Sequence, residues 1–287
     1  MNFEKYLQKK KLTQSTIKGN LNNLERFKKW SEKENINDRN VNYNHLLKFI
    51  QQAQQRGVSK SSINIHLNSI SKYYDYLVIQ GERKDNPAKE LRLKNNGKRV
   101  LKNLLTTQEL EEIYTSHISK PEWSFTKGEK SKQTHQRNAA ILGLIIYQAI
   151  QTPELKKIEK RHINLLQGTV YIPSAGRSNS RILQLNARQI IPMQQYLKSI
   201  EKEQEKLFNC NISAAMMWLM KTLNKTNEKT RDAKQIRSSV IMNWLKQYNI
   251  RQVQYMAGHR YISSTEKYKQ EDLQDLQTAL NLFHPLK

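Results

Sequence analysis

Four side chains in the last fifth of the chain have the types and spacing to act on a phosphodiester. In "KQIRSSVIMNWL", Lys234 and Arg237 stand at i and i+3, which is one face of a helix. Further on, "AGHRYISSTEKYK" supplies His259 and, nine residues later, Tyr268. A guanidinium can donate bidentately to non-bridging phosphate oxygens and to the charge that grows there. A phenol can attack phosphorus and hold a covalent intermediate, while an imidazole or ammonium moves protons. Taken singly, each residue is a weak signal. Tyr268 is one of 13 tyrosines, and a basic i, i+3 pair is usually a solvated face.

These residues need elements to hold them, and the apolar period supplies helices. In "TQSTIKGNLNNLERFKKWSEKE", Ile17, Leu21, Leu24, Phe27 and Trp30 recur at three- and four-residue steps, an amphipathic stripe. "NYNHLLKFIQQAQQRG" predicts a second helix stopping at Gly57. "SKSSINIHLNSISKYYDYLVIQG" predicts a third, closed by Gly81, with Leu67, Ile70, Tyr74 and Leu77 on one face. Tyr73 and Tyr74 continue the apolar stripe, which favours core over a base-stacking platform. The pattern then gives way to the basic, Pro- and Gly-bearing "ERKDNPAKELRLKNNGKRVLKN". This divides the chain into a helical domain over 1–90, a basic linker over 91–103 and a second domain over 104–287.

The second domain opens with a capping box at Thr106 and Glu109. "RNAAILGLIIYQAIQTPEL" predicts a core helix broken around Thr152–Pro153. In "INLLQGTVYIPSAGRSNSRILQLN" the period shifts, and Val170 and Ile172, then Ile182 and Leu183, flank a polar tract, as in a small β-hairpin. Helical period returns after Asn186.

Composition narrows the partner. Lys and Arg total 49 against 25 Asp and Glu, a formal charge of +24. Self-repulsion of that size points to a polyanion, and basic residues spread along the chain fit nucleic acid better than a membrane surface. Cys210 is the only cysteine, which excludes a disulfide framework and a Cys-based metal site. "MNFEKYLQKKKLTQ" lacks the apolar core of a secretory signal, and no apolar run reaches the length of a membrane span, so the expectation is a reducing, cytoplasmic setting.

The order and spacing of these residues resemble the tyrosine recombinase (phage integrase, XerC–XerD-like) family over nearly the whole chain. Residues 1–90 look like its four-helix core-binding domain, and "LTTQELEEI" looks like the opening of its mostly helical catalytic domain with a small β-hairpin or sheet. The family's Leu-Gly-His run, Ser/Thr-rich stretch and tyrosine match Ala257-Gly258-His259 through Ser263-Ser264-Thr265 to Tyr268. Its His/Lys-x-x-Arg motif matches Lys234-Gln235-Ile236-Arg237. Its Gly-Leu-Arg-x-x-Glu-Leu turn matches Ala149-Ile150-Gln151-Thr152-Pro153-Glu154-Leu155, with Gln151 in place of the arginine. The family's hairpin lysine falls near Gly176, so Arg177 is the nearest cation that could deputise, although arginine holds its proton too tightly to be a good general acid.

The resemblance implies a mainly α fold that clamps double-stranded DNA in a C shape, and strand exchange through a 3′-phosphotyrosyl link to Tyr268. Arg237, His259 and Lys234 would assist, with Gln151 and Arg177 as open positions. It implies no cofactor and no metal, a homo-oligomer growing from dimer to synaptic tetramer on DNA, nucleoid association, and use in integration, excision or resolution of mobile DNA. The tail stripe Leu273, Leu276, Leu280 and Phe283 fits docking on a neighbouring protomer and packing on its own domain equally well. The alternative to a recombinase is a catalytically impaired DNA-binding protein of the same fold that organises or represses a site. A type IB topoisomerase shares the tyrosine chemistry, and the chain's small size and separate N-terminal helical domain argue against it.

Overall fold

The computed structural model describes residues 2–94, 103–119, 129–227 and 229–268. Much of the expected linker, and the whole C-terminal stripe, lie outside the described residues. The chain divides into two compact units, 1–98 and 99–287.

The first unit is four helices: α1 (Phe3–Lys9), α2 (Gln14–Lys33), α3 (Tyr43–Gln55) and α4 (Lys60–Ile79). Each begins on a side chain that accepts a backbone N–H left free in the first turn, at Asn2, Thr13, Asn42 and Ser59. The helix stops expected at Gly57 and Gly81 hold, both with positive φ. The stripe on α2 is buried at Ile17, Leu24, Phe27 and Trp30, and Leu21 packs at the margin. Aromatic edges dominate this core. Phe49 meets Phe27 edge-on at 5.7 Å between centroids and Trp30 at 5.1 Å. Tyr73 and Tyr74 are core residues, as their spacing predicts. Their hydroxyls donate to Asp38 Oδ2 at 2.7 Å and to the Asp38 carbonyl at 2.8 Å.

The second unit is built on α6 (Glu129–Gln148), which α5 (Thr107–Ser119), α8 (Ala187–Ser199) and α10 (Ala233–Leu245) surround. Ile141, Leu142, Leu144 and Ile145 of α6 are almost wholly buried. At about 1.5–3 kcal/mol for each such side chain, the helix anchors the unit. The capping box is present: Thr106 N–H donates to Glu109 Oε2 at 2.8 Å, and Glu109 N–H donates to Thr106 Oγ1 at 3.2 Å.

The break after α6 is a backbone reversal. Ala149 takes φ 49°, and α7 (Thr152–Leu155) restarts the helix with Pro153 in its first turn. The expected hairpin is two strands of a three-stranded antiparallel sheet, β1 (Ile163–Asn164), β2 (Thr169–Ile172) and β3 (Arg181–Gln184), in that order. Val170 pairs with Leu183 and Ile172 with Arg181. The two-residue β1 is too short to show a period in sequence. Beyond it come α9 (Ile212–Thr226), α11 (Ile250–Ala257) and a helical turn at 263–268. Among the described residues no helix is long and apolar enough to cross a membrane.

Candidate active site

Three short segments meet at the start of α10. Asp232 caps that helix, its side chain accepting from Gln235 N–H at 2.7 Å. This places Lys234 and Arg237 in the first turns, where the helix dipole is positive. The reversal before α7 brings in Gln151, whose N–H donates to Glu154 Oε2 at 2.8 Å. The third segment follows α11. That helix closes with Gly258 at φ 67°, Gly258 N–H donating to the Tyr255 carbonyl and His259 N–H to that of Gln254, both at 2.9 Å. This is a Schellman closure, and it fixes where His259 leaves the helix. The turn at 263–268 then carries Tyr268.

Gln151, Lys234, Arg237, His259 and Tyr268 line one pocket of about 340 Å³, with Ser238 beside them and Ile145 and Ile150 as an apolar wall. Five positions named from sequence therefore converge. Arg177 does not join them. It is exposed in the turn between β2 and β3, although the neighbouring strand arm is tied to the site by Asn179 N–H donating to the Gly258 carbonyl at 2.9 Å.

Arg237 is only 7% exposed. Its Nη2 donates to the Ala257 carbonyl at 2.7 Å, satisfying an otherwise unpaired group at the end of α11, and faces His259 Nε2 at 3.5 Å. Its Nη1 is buried with no partner among the described residues. A buried donor left unsatisfied costs about 1–3 kcal/mol, a cost that an anion drawn against Arg237 would relieve. Burial, with the charge of Arg181, pushes the Arg237 guanidinium down to about 10; Glu154 and Tyr268 pull it back up. At neutral pH it stays cationic.

His259 sits between Arg237 and Tyr268. Burial first, then the charges of Arg237 and Arg181, bring its imidazole down to about 4, so it is neutral at pH 7. Arginine has only donors, which makes Nε2 the acceptor and leaves the proton on Nδ1, donating to Thr265 Oγ1 at 2.8 Å. The Tyr268 ring stacks on this imidazole, 6.0 Å between centroids and 14° between planes. The ammonium of Lys234 is exposed and pairs with no carboxylate among the described residues.

Behind the pocket lies a pair that sequence reasoning did not place. Arg181 and Glu154 have side chains 0% exposed and meet bidentately, Nη1 to Oε1 at 2.7 Å and Nη2 to Oε2 at 3.2 Å. Arg181 Nε also donates to the Met256 carbonyl at 2.8 Å. The pair thus ties the Gln151 turn to the end of α11. Burial would raise the Glu154 carboxyl, but the hydrogen bond and charge of Arg181 hold it below its usual value. Thr265, fully buried, was the other omission. In sequence one arginine in a polar loop reads as surface, and one threonine in a Ser/Thr run is not distinguishable from its neighbours.

Residues 1–81 match the family model described as phage integrase, N-terminal SAM-like domain. The XerC tyrosine recombinase of Bacillus licheniformis is 26% identical over 63% of the chain, a stretch that spans 56% of that relative's length. The TnP I resolvase of Bacillus thuringiensis is 23% identical, with 98% of both proteins covered. In fold, the chain is similar to the crystal structure of XerH site-specific recombinase bound to palindromic difH substrate. The TM-score is 0.70 at 18% identity, over 93% of this chain and 79% of that one. In sequence and fold the chain is similar to tyrosine recombinases. Against the pattern that the resemblance implies, the pocket holds a tyrosine, a histidine, an arginine and a lysine, Tyr268, His259, Arg237 and Lys234, and has Gln151 at the position of the other arginine.

Proposed function

We propose that the chain is a site-specific DNA recombinase that cleaves and rejoins strands through a 3′-phosphotyrosyl link to Tyr268. The observation that carries this reading is the convergence of Tyr268, His259, Lys234 and Arg237 on one pocket, with Arg237 Nη1 buried and without a partner among the described residues.

In the proposed reaction the Tyr268 hydroxyl attacks the scissile phosphorus and the bond to the 5′-oxygen breaks. A 5′-hydroxyl from the partner duplex later attacks the phosphotyrosine and restores a phosphodiester. Arg237 Nη1 binds a non-bridging oxygen, and His259 holds that guanidinium in place while its ring supports the phenol. The phosphotyrosine conserves the bond energy, so the scheme needs neither metal nor nucleotide. Gln151 offers a neutral hydrogen bond where an arginine would bring charge, and charge-assisted bonds are roughly twice as strong, so cleavage is slower than in a complete site.

The substrate is double-stranded DNA, consistent with the formal +24. Exchange between two duplexes breaks four strands, and one tyrosine serves one strand, so dimers on each site join as a tetramer. A cytoplasmic, nucleoid-associated protein acting in integration, excision or resolution of mobile DNA follows from that substrate. The test is a nicked duplex bearing the cognate site, which traps the cleaved state: a covalent protein–DNA band is expected, and Tyr268→Phe removes it. Gln151 alone favours the second reading, a DNA-binding protein of this fold without strand transfer. That reading requires tight site binding with no covalent band from the unaltered chain.

A further inference from the structure

Cleavage leaves a 5′-oxygen that departs poorly as an alkoxide and needs a proton in the transition state. The pocket allows few sources. His259 is neutral at pH 7, with its one proton on Nδ1 committed to Thr265 and its Nε2 turned to Arg237. The Arg237 guanidinium is buried and still cationic at neutral pH, a donor of hydrogen bonds rather than of protons. Gln151, Thr152 and Ser238 carry no acidic proton. Tyr268 is the attacking group in the proposed reaction. The hairpin loop at 173–180 contains no lysine, and its one cation, Arg177, is exposed and outside the pocket.

Lys234 remains. It lines the same pocket three residues from Arg237 on α10, its ammonium free of any carboxylate among the described residues and open to solvent. We infer that Lys234 is the proton donor to the departing 5′-oxygen. The inference rests on the recombinase reading above. In the step, the Tyr268 Oη–phosphorus bond forms and the phosphorus–O5′ bond breaks. The Lys234 Nζ proton passes to O5′, giving a neutral hydroxyl and a neutral amine, and the phenolic proton leaves to water. Being exposed, the amine can regain a proton from solvent. In rejoining, the same amine takes the proton from the attacking 5′-hydroxyl, as microscopic reversibility requires.

Sulfur in the bridging 5′ position is a good leaving group without protonation, and this isolates the role. The probe is a duplex recovered from a random-sequence pool by covalent capture on the unaltered protein, remade with oxygen or with sulfur at the scissile 5′ bridge. Lys234→Ala and Lys234→Arg are expected to slow single-turnover cleavage of the oxygen duplex by ~10²–10⁴-fold. On the sulfur duplex both variants return to within several-fold of the unaltered protein, while Arg237→Ala stays slow on both. Equal slowing of the Lys234 variants on the two duplexes overturns the assignment and leaves Lys234 as a phosphate contact. Full activity of Lys234→Ala on oxygen overturns it as well. If the unaltered protein captures no duplex through Tyr268, the recombinase reading fails first and this inference with it.

Discussion

Arg181 and Glu154 form a bidentate ion pair with both side chains fully buried, and through the Arg181 Nε bond to the Met256 carbonyl the pair joins the turn of Gln151 to the end of α11. Removing one partner strands a charge in the core. Glu154→Gln or Arg181→Met is expected to lower unfolding free energy by about 3–5 kcal/mol, measured by urea denaturation. Exchanging both for apolar residues recovers much of that stability, but not cleavage, because nothing then ties Gln151 to His259. A double variant that cleaves normally would show that the pair does not position the site.

Gly258 is the residue that lets α11 end where it does. Its φ of 67° suits glycine, and a Cβ there would run into the Arg181 guanidinium and stand 3.1 Å from the Asn179 carbonyl. Backbone strain of about 1–2 kcal/mol and overpacking of about 1–3 kcal/mol are expected for Gly258→Ala, read as a lower midpoint in urea. The His259 turn shifts with it, so covalent adduct formation falls further than stability. Unchanged stability and adduct yield would contradict this geometry.

Gln151 is the one pocket position with a neutral group where the family has a cation. Gln151→Arg replaces a neutral hydrogen bond, worth about 0.5–1.5 kcal/mol, by a charged one worth about 1.5–3 kcal/mol, so cleavage is expected to rise about tenfold. Single-turnover cleavage of the nicked duplex measures it. A rate that stays level or drops would mean that the site is tuned around glutamine.

Acid should weaken the fold in two stages. His259 and His117 are both brought from 6.5 down to about 4, His259 by burial and the charges of Arg237 and Arg181, His117 by burial and its neighbour His135. Their folded values lie below the unfolded one, so the unfolded chain binds more protons between pH 6.5 and 4. Stability is complete above pH 6.5 and declines as pH falls towards 4. Glu154, held below 4.5 in the fold, adds its loss beneath that value. Thermal melting from pH 7.5 to 4 should show the decline, and His117→Leu should flatten its upper part. A melting temperature independent of pH over 4–6.5 would contradict these environments.

Much of this was legible in the sequence because it follows from periodicity and caps. The stripe from Ile17 to Trp30, the capping box at Thr106 and the strands around Val170 and Leu183 each depend on a few neighbouring residues. The site positions Lys234, Arg237, His259 and Tyr268 came from order and interval, and all four face the pocket. What escaped depends on contacts distant in sequence. Arg181 and Glu154 are 27 residues apart, and neither shows in isolation that it is buried. The proton on His259 Nδ1 is fixed jointly by Thr265 and Arg237, one ahead of it and one behind. Arg177, nearest in sequence to the position of a family lysine, stays in the exposed turn because the pairing of Ser178 with His259 holds the arm after it, not the turn itself.

The most direct test of the account is the site of covalent attachment. After reaction with the nicked duplex, the trapped protein is digested with nuclease and protease, and the peptides are sequenced by mass spectrometry. A nucleotide phosphate esterified to Tyr268, and to no other of the 13 tyrosines, is the predicted result. Attachment elsewhere, or a chain that binds its site tightly and never carries a nucleotide, would contradict it.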